Sequence, residues 1–366
     1  MKKEFKEYLR QQAGLHPSCQ PADVVKLCYQ AAKGPEHILA TLDDAEKAEN
    51  YFISEYERAL PDDGPLCEQI SDRFVRVNFG AWKKTGMPML WLLSAFYNSA
   101  YPVENGDELL ENFLADADAC VAEGAFGFPL DEWKSYMEEY RAAGKPSVHH
   151  SEAYRGAESP SYRLVMTAFS ELFPILQRLN AVWQKCNEEE RPMVIAIDGR
   201  AGAGKTTFSR NLRRLLNGGA KALVQMDDFF LPKELRSEER LASAGGNIHY
   251  ERFIEEVLPN IGKKEPFKYR YFDCCTMDYG GEERVESPTL RVVEGSYSHH
   301  PAFGEYADFK IFLDIDPEAQ NERICYREVS YIAERFQNEW IPMEEHYFDT
   351  YRIREKADFV MRYEVF

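Results

Sequence analysis

Apolar residues along this chain follow two rhythms. Through the first half they recur every three or four positions, the period of an amphipathic helix. Pro21–Ala32 predicts a short helix stopped by Gly34-Pro35, and Glu36–Leu60 a longer one ending at Pro-Asp-Asp-Gly-Pro. Asp107–Glu123 and Leu130–Ala143 predict two more, each bounded by Gly or Pro. Arg73–Phe79 alternates instead and predicts a strand or an extended segment. Over Ser159–Cys186, residues Leu164, Ala168, Leu172, Ile175 and Leu179 share a face and predict one long amphipathic helix. The charged string Glu188-Glu189-Glu190-Arg191-Pro192 marks a boundary. A mostly α-helical domain over residues 1–188 therefore precedes a second domain over residues 189–366.

The second half is built from short apolar runs with helical stretches between them. Met193–Ile197, Ala222–Met226, Leu290–Val293, Lys310–Ile315 and Ala357–Tyr363 predict strands. From Thr206 onward, Phe208, Leu212, Leu215 and Leu216 line one helical face, with Gly218-Gly219 as the stop. Asp316 followed by Pro317 predicts a capped helix start. Such βα alternation predicts a parallel sheet flanked by helices.

Between the first strand and the first helix lies Gly199-Arg200-Ala201-Gly202-Ala203-Gly204-Lys205-Thr206, which fits G-x-x-x-x-G-K-[ST]. This is the phosphate-binding P-loop in the context it needs. The backbone from Gly199 through Ala201, Gly202, Ala203, Gly204, Lys205, Thr206 and Thr207 can curl around phosphate oxygens at a helix N-terminus. Lys205 is placed for the β- and γ-phosphates of ATP, and Thr206 for Mg²⁺.

Composition narrows the classes. The net charge of −18 argues against a nucleic-acid partner, whose binding rests on Lys and Arg meeting phosphates. The eight cysteines form no C-x-x-C pair, and the adjacent Cys274-Cys275 suits neither an ordinary disulfide nor a zinc knuckle. A reducing, cytoplasmic setting is expected. The start, Met-Lys-Lys-Glu-Phe-Lys-Glu-Tyr-Leu-Arg, has no signal-peptide core, and the apolar run Met89–Tyr97 is too short to span a membrane.

Carboxylates at strand ends are the next candidates, because ligands in open α/β sheets sit at the C-terminal ends of strands. The second predicted strand delivers Asp227-Asp228-Phe229-Phe230, where one acid can accept the proton of a hydroxyl during phosphoryl transfer. The third ends in Glu294-Gly295, an acid able to help hold Mg²⁺. Arg323 and Arg327 sit four apart on the helix after Asp316 and can neutralise phosphate charge, with Arg327 the better placed. The stretches Gly245–Tyr250 and Phe267–Asp273 either line an acceptor pocket or form ordinary loop and edge structure. In the first half, polar clusters recur: Tyr29–His37, Arg76 with Asn78, His149-His150-Ser151, Tyr154-Arg155 and Tyr162-Arg163. Helix capping and side-chain pairing account for such clusters more often than a site does.

In this order the second-half motifs resemble the uridine kinase and phosphoribulokinase family of P-loop kinases, over roughly residues 190–366. The resemblance rests on the P-loop, Asp227-Asp228-Phe229-Phe230, Val293-Glu294-Gly295, the Arg323/Arg327 helix and Ala357-Asp358. It implies an α/β P-loop kinase fold, Asp227 as catalytic base, Glu294 serving the metal, and Arg323 and Arg327 gripping phosphates. The acceptor region departs from uridine kinases. Asn247-Ile248-His249-Tyr250 stands where they carry Asp-His-Pro, and Tyr269–Thr276 lacks their His and Arg pattern. The first half resembles a helical bacterial domain to which no activity attaches.

The expectation is a kinase using ATP and Mg²⁺ on the hydroxyl of a small metabolite, with Lys205 and Asp227 in the chemistry. Neither nucleic acid nor membrane is expected as a partner, and a homodimer is compatible with the sequence. The rival is a P-loop ATPase or switch coupled to the helical half. Against it, the chain has no N-K-x-D and no apolar run ending in a Walker B Asp with a following Glu.

Overall fold

The computed structural model describes residues 4–39, 42–273 and 276–363, so the Cys274-Cys275 pair lies outside the described residues. Cys19, Cys28, Cys67, Cys120, Cys186 and Cys325 are free thiols. Among the described residues no helix is long and apolar enough to cross a membrane. The chain folds as two compact units, Met1–Phe173 and Pro174–Phe366.

The first unit packs helices Phe5–Leu15, Pro21–Lys33, Gly106–Ala122 and Leu130–Ala142 around an apolar core containing Leu9, Val25, Cys28, Leu110, Leu114 and Trp133. A three-stranded antiparallel sheet completes it: β1 (Cys67–Gln69), β2 (Phe74–Asn78) and β3 (Tyr162–Met166), in that order. The predicted helix over Ser159–Cys186 is corrected here. It divides into β3, a short helix Thr167–Ser170 and a helix Phe173–Glu188. Leu164, Leu172, Ile175 and Leu179 are all buried as expected, but Leu164 lies in a strand, Leu172 in a turn and only Ile175 and Leu179 in one helix. Pairing with β2, from Asn78↔Tyr162 to Phe74↔Met166, satisfies the backbone of Tyr162–Met166 and overrides local periodicity. Pro174 sits in the first turn of the following helix, where a missing N–H costs nothing. The predicted Glu36–Leu60 helix is likewise a 3-10 turn Glu36–Leu39 and a helix Leu42–Arg58.

The second unit holds the remaining strands: β4 (Met193–Gly199), β5 (Leu223–Gln225), β6 (Phe267–Asp273), β7 (Asp278–Val285), β8 (Leu290–Glu294), β9 (Phe309–Asp314) and β10 (Phe359–Arg362). Five make a parallel sheet in the order β10-β9-β4-β8-β5, while β6 and β7 form a separate antiparallel hairpin. Every residue of β4 is buried, as its apolar run predicts for a strand covered on both faces. Helix Lys205–Leu215 lies against the sheet through the fully buried Phe208, Leu212 and Leu215. The topology therefore brings the ends of β4, β8 and β5 side by side, with Glu294 level with Ile197 on one side and Gln225 on the other.

Candidate active site

The loop after β4 begins at a glycine for a steric reason. A Cβ on Gly199 would lie 2.1 Å from the backbone oxygen of Leu313 on β9, and the residue holds φ at +142°. The loop closes at Gly204, left-handed at φ +85°, and helix Lys205–Leu215 starts on the next residue. The first N–H groups of that helix have no intrahelical acceptor and face the loop's concavity, as an anion site requires.

Lys205 folds back over the loop. Its Nζ donates to the carbonyl oxygens of Gly199 at 2.7 Å and Arg200 at 3.0 Å, and to Ser296 Oγ at 3.2 Å. Thr206 Oγ1 donates to Glu294 Oε1 at 3.3 Å. Glu294 is itself buried at 5 % exposure, and burial pushes its pKa up to about 6, with Lys205 opposing the rise and Asp227 adding to it. A hydroxyl and a carboxylate together are the hard oxygen donors that Mg²⁺ prefers, and Mg²⁺ commonly needs only one or two protein oxygens besides phosphate. Among the described residues no group of three His, Cys, Asp or Glu is placed to hold a metal ion.

Asp227 and Asp228 sit two and three residues past Gln225, in a 3-10 turn Met226–Phe229. They are differently engaged. Asp228 Oδ2 accepts from the Tyr269 hydroxyl at 2.8 Å. Burial pushes the Asp228 carboxyl up to about 6, a rise that the Tyr269 bond opposes and Asp227 increases. Asp227 is open to water yet lies deep among protein atoms. That crowding pushes its pKa up, while Lys205 and Arg327 pull it back. The stretches Gly245–Tyr250 and Phe267–Asp273 both pack on this turn: His249 N–H donates to the Phe229 oxygen at 2.6 Å, Phe230 bridges to Ile248, and Tyr269 reaches Asp228.

The two arginines separate. Arg327 is half-exposed, pairs with Glu328 at 2.7 Å, and is near enough to Asp227 to act on its charge. Arg323 is bound to backbone instead, its Nη1 donating to the Gly202 oxygen at 3.2 Å and so bracing the loop.

A layer beneath these residues was not foreseen from the sequence. Asp198, fully buried before Gly199, accepts four hydrogen bonds. Oδ1 takes the N–H of Gly199 (2.7 Å) and Tyr297 (3.2 Å), and Oδ2 takes the N–H of His299 (3.0 Å) and the Tyr347 hydroxyl (2.9 Å). Glu344, on helix Ile341–Tyr351, accepts from the Ala201 N–H at 3.0 Å and from Ser296 Oγ at 2.7 Å. Arg200 forks onto Glu345 at 2.7 and 2.8 Å and also meets Asp314. An acid ending an apolar strand just before the glycine loop is a signal that could have found Asp198. Glu344 has no local signal.

The comparisons bear on this geometry. No protein-family model matches the chain. The chain is 27% identical over 151 residues to a uridine kinase of Ligilactobacillus salivarius (strain UCC118), covering 39% of this chain and 70% of the relative. It is 22% identical over 218 residues to a pantothenate kinase of Listeria monocytogenes serotype 4a (strain HCC23), covering 52% of this chain and 70% of that relative. The second unit is a small-molecule P-loop kinase domain. This kinase domain resembles the uridine kinases. A solved structure described as a fructose transport system kinase from Silicibacter sp. TM1040 overlays with a TM-score of 0.43 at 21% identity, covering 54% of this chain and 99% of its own. The acceptors in these names differ from protein to protein.

Proposed function

We propose that the kinase domain transfers the γ-phosphoryl group of ATP to a hydroxyl of a small metabolite, with Asp227 as the base. The observation that carries this is the convergence of Lys205, Thr206, Glu294 and Asp227 at three adjacent strand ends, β4, β8 and β5. The loop amides and the N-terminus of helix Lys205–Leu215 hold the triphosphate, and Lys205 exchanges its carbonyl partners for phosphate oxygens. Thr206 and Glu294 would hold Mg²⁺, which would supply charge neutralisation for the phosphates. Asp227, unlike Asp228, leaves its carboxylate open to the cleft and takes the acceptor's proton. Its pKa is raised by burial, with Lys205 and Arg327 opposing the rise, which makes it a stronger proton acceptor than an ordinary carboxylate. Arg327 shields the transferring group, and Arg323 keeps the loop in shape by holding Gly202. The 227–230, 245–250 and 267–273 stretches line the acceptor side.

Pantothenate and uridine, the acceptors of the matched relatives, are the first to test, followed by other nucleosides, sugars and glycerate. ADP release that requires both Mg·ATP and one of these acceptors supports the reading. Hydrolysis that proceeds equally without any acceptor contradicts it and favours the ATPase or switch.

A further inference from the structure

The first unit carries a second polar centre, independent of the kinase domain's residues. One face of its sheet carries polar groups beside the apolar Phe74, Leu164 and Met166. Glu68 of β1 pairs directly across from Arg76 of β2, and Asn78 pairs with Tyr162 of β3. Alternation puts all four on the same face. Helix Phe5–Leu15 covers this face only partly and leaves a cleft of about 450 Å³, lined by Tyr8, Gln12, Glu68, Arg76 and Tyr162 among others. A cavity of this size holds a small metabolite.

Behind the cleft runs a chain of hydrogen bonds with one consistent direction. Asp23, buried, accepts from His150 Nδ1 at 2.9 Å, which fixes the neutral tautomer with Nε2 as acceptor. Tyr162 gives its hydroxyl proton to His150 Nε2 at 2.8 Å and accepts from Gln30 Nε2 at 3.2 Å. Gln30 Oε1 then accepts from Arg76 Nη2 at 2.9 Å. Burial opposes the charge of Asp23, but bonds from His150, Ser151 and Gln20 hold its carboxyl below the ordinary range, and burial pushes His150 down so that it stays neutral. The chain therefore runs from a guanidinium to a carboxylate with every proton assigned, and it fixes Arg76 under the Tyr162 ring, 4.6 Å from the centroid.

At the open end the charges do not close on each other. Arg76 Nη1 stops 3.5 Å from Glu68 Oε2, beyond the 2.7–2.9 Å usual for a charge-assisted hydrogen bond. Arg76 Nε, on a side chain 94 % buried, has no hydrogen-bond partner among the described residues. Glu68 is held by its other oxygen, which accepts from Tyr8 at 2.6 Å and Gln12 at 2.8 Å, so Oε2 carries only the long ion pair to Arg76. A buried guanidinium with an unmet donor is costly, and the Arg76 side chain lines the cleft.

The geometry points to a binding site for a free amino acid or a similarly sized zwitterion, its carboxylate on Arg76 and its ammonium on Glu68. The adjacent opposite charges favour a ligand carrying both and disfavour either alone, because an anion meets Glu68 and a cation meets Arg76. Leu15 and Pro65, at the cleft wall, offer an apolar surface to a side chain.

Calorimetric titration of the full chain with each free amino acid, and with acetate and ethylammonium as half-ligands, tests this. At least one amino acid should bind, with neither half-ligand binding comparably. Glu68→Gln, which keeps the acceptor for Tyr8 and Gln12, should fold with an unchanged circular dichroism spectrum and weaken that binding at least tenfold. It should leave acceptor-dependent ADP release by the kinase domain unaltered. Arg76→Gln should also abolish binding, but Glu68→Gln decides, because Arg76 is buried. No binding by any amino acid overturns the proposal, and so does a ligand bound equally well by Glu68→Gln.

Discussion

Glu344 accepts a hydrogen bond from the backbone N–H of Ala201, 3.0 Å away, across 143 positions of sequence. With its other oxygen on Ser296, this one buried carboxylate ties the phosphate loop to the end of β8 from beneath. Glu344→Ala strands two buried donors, and thermal denaturation should show the kinase domain destabilised by about 2 kcal/mol. Nucleotide affinity should fall with it, because the loop loses a fixed anchor. An unchanged melting temperature would mean that the loop holds itself.

Asp198 makes a sharper case, because both its oxygens receive two donors each. Asparagine keeps the shape but turns an NH₂ toward two donors. Asp198→Asn should therefore be nearly as damaging as Asp198→Ala, each on the order of 3–5 kcal/mol, as for a buried charged group with its partners left unpaired. Urea unfolding of the two variants compares them directly, and a mild Asn variant would contradict the account.

Glu294 links stability to pH in the direction opposite to a salt-bridged acid. Its folded pKa is raised from the ordinary 4.5 to about 6 by burial, so the folded state binds the extra proton between those values. Stability is therefore lost as pH rises from about 4.5 to about 6, by about 2 kcal/mol, and stays lost above. Asp228, raised from 3.8 to about 6, acts in the same direction. Glu294→Gln should raise the melting temperature of the ligand-free protein at pH 8, with the gain vanishing near pH 4. The same variant should lose the response to Mg²⁺, since a neutral amide binds that ion poorly.

Lys205 pulls down the pKa values of Asp227, Glu294 and Glu344 together. Lys205→Met should therefore cut turnover by about a hundredfold or more and also move the pH-rate profile toward higher pH. A turnover loss without that displacement would show that Lys205 serves phosphate alone.

The parts of the site that were legible in the sequence are those set by local spacing. The P-loop glycines, Lys205 and Thr206 are contiguous, and Asp227 and Glu294 follow apolar runs that the parallel sheet aligns. Asp316 caps its helix by accepting from Glu318 N–H at 3.2 Å, as its place before Pro317 predicts. What escaped was long-range. Glu344 and Tyr347 reach the loop from a helix over 140 positions away, and nothing in their neighbourhood marks them. The Leu164-to-Leu179 spacing suggested one helix because four-residue steps run by coincidence through a strand, a turn of helix and a second helix. In the first unit Arg76, His150 and Tyr162 are visible as polar residues, but only the sheet and the hydrogen bonds of His150 to Asp23 and Tyr162 reveal that they converge.

The most direct test of the central claim is the rate of phosphoryl transfer in Asp227→Asn, measured beside wild type with saturating Mg·ATP and the acceptor that supports ADP release. The carboxylate at the end of β5 is predicted to be the base, so the variant should bind nucleotide as wild type does and lose about a hundredfold or more in turnover. A variant that transfers phosphoryl groups at the wild-type rate would contradict the account.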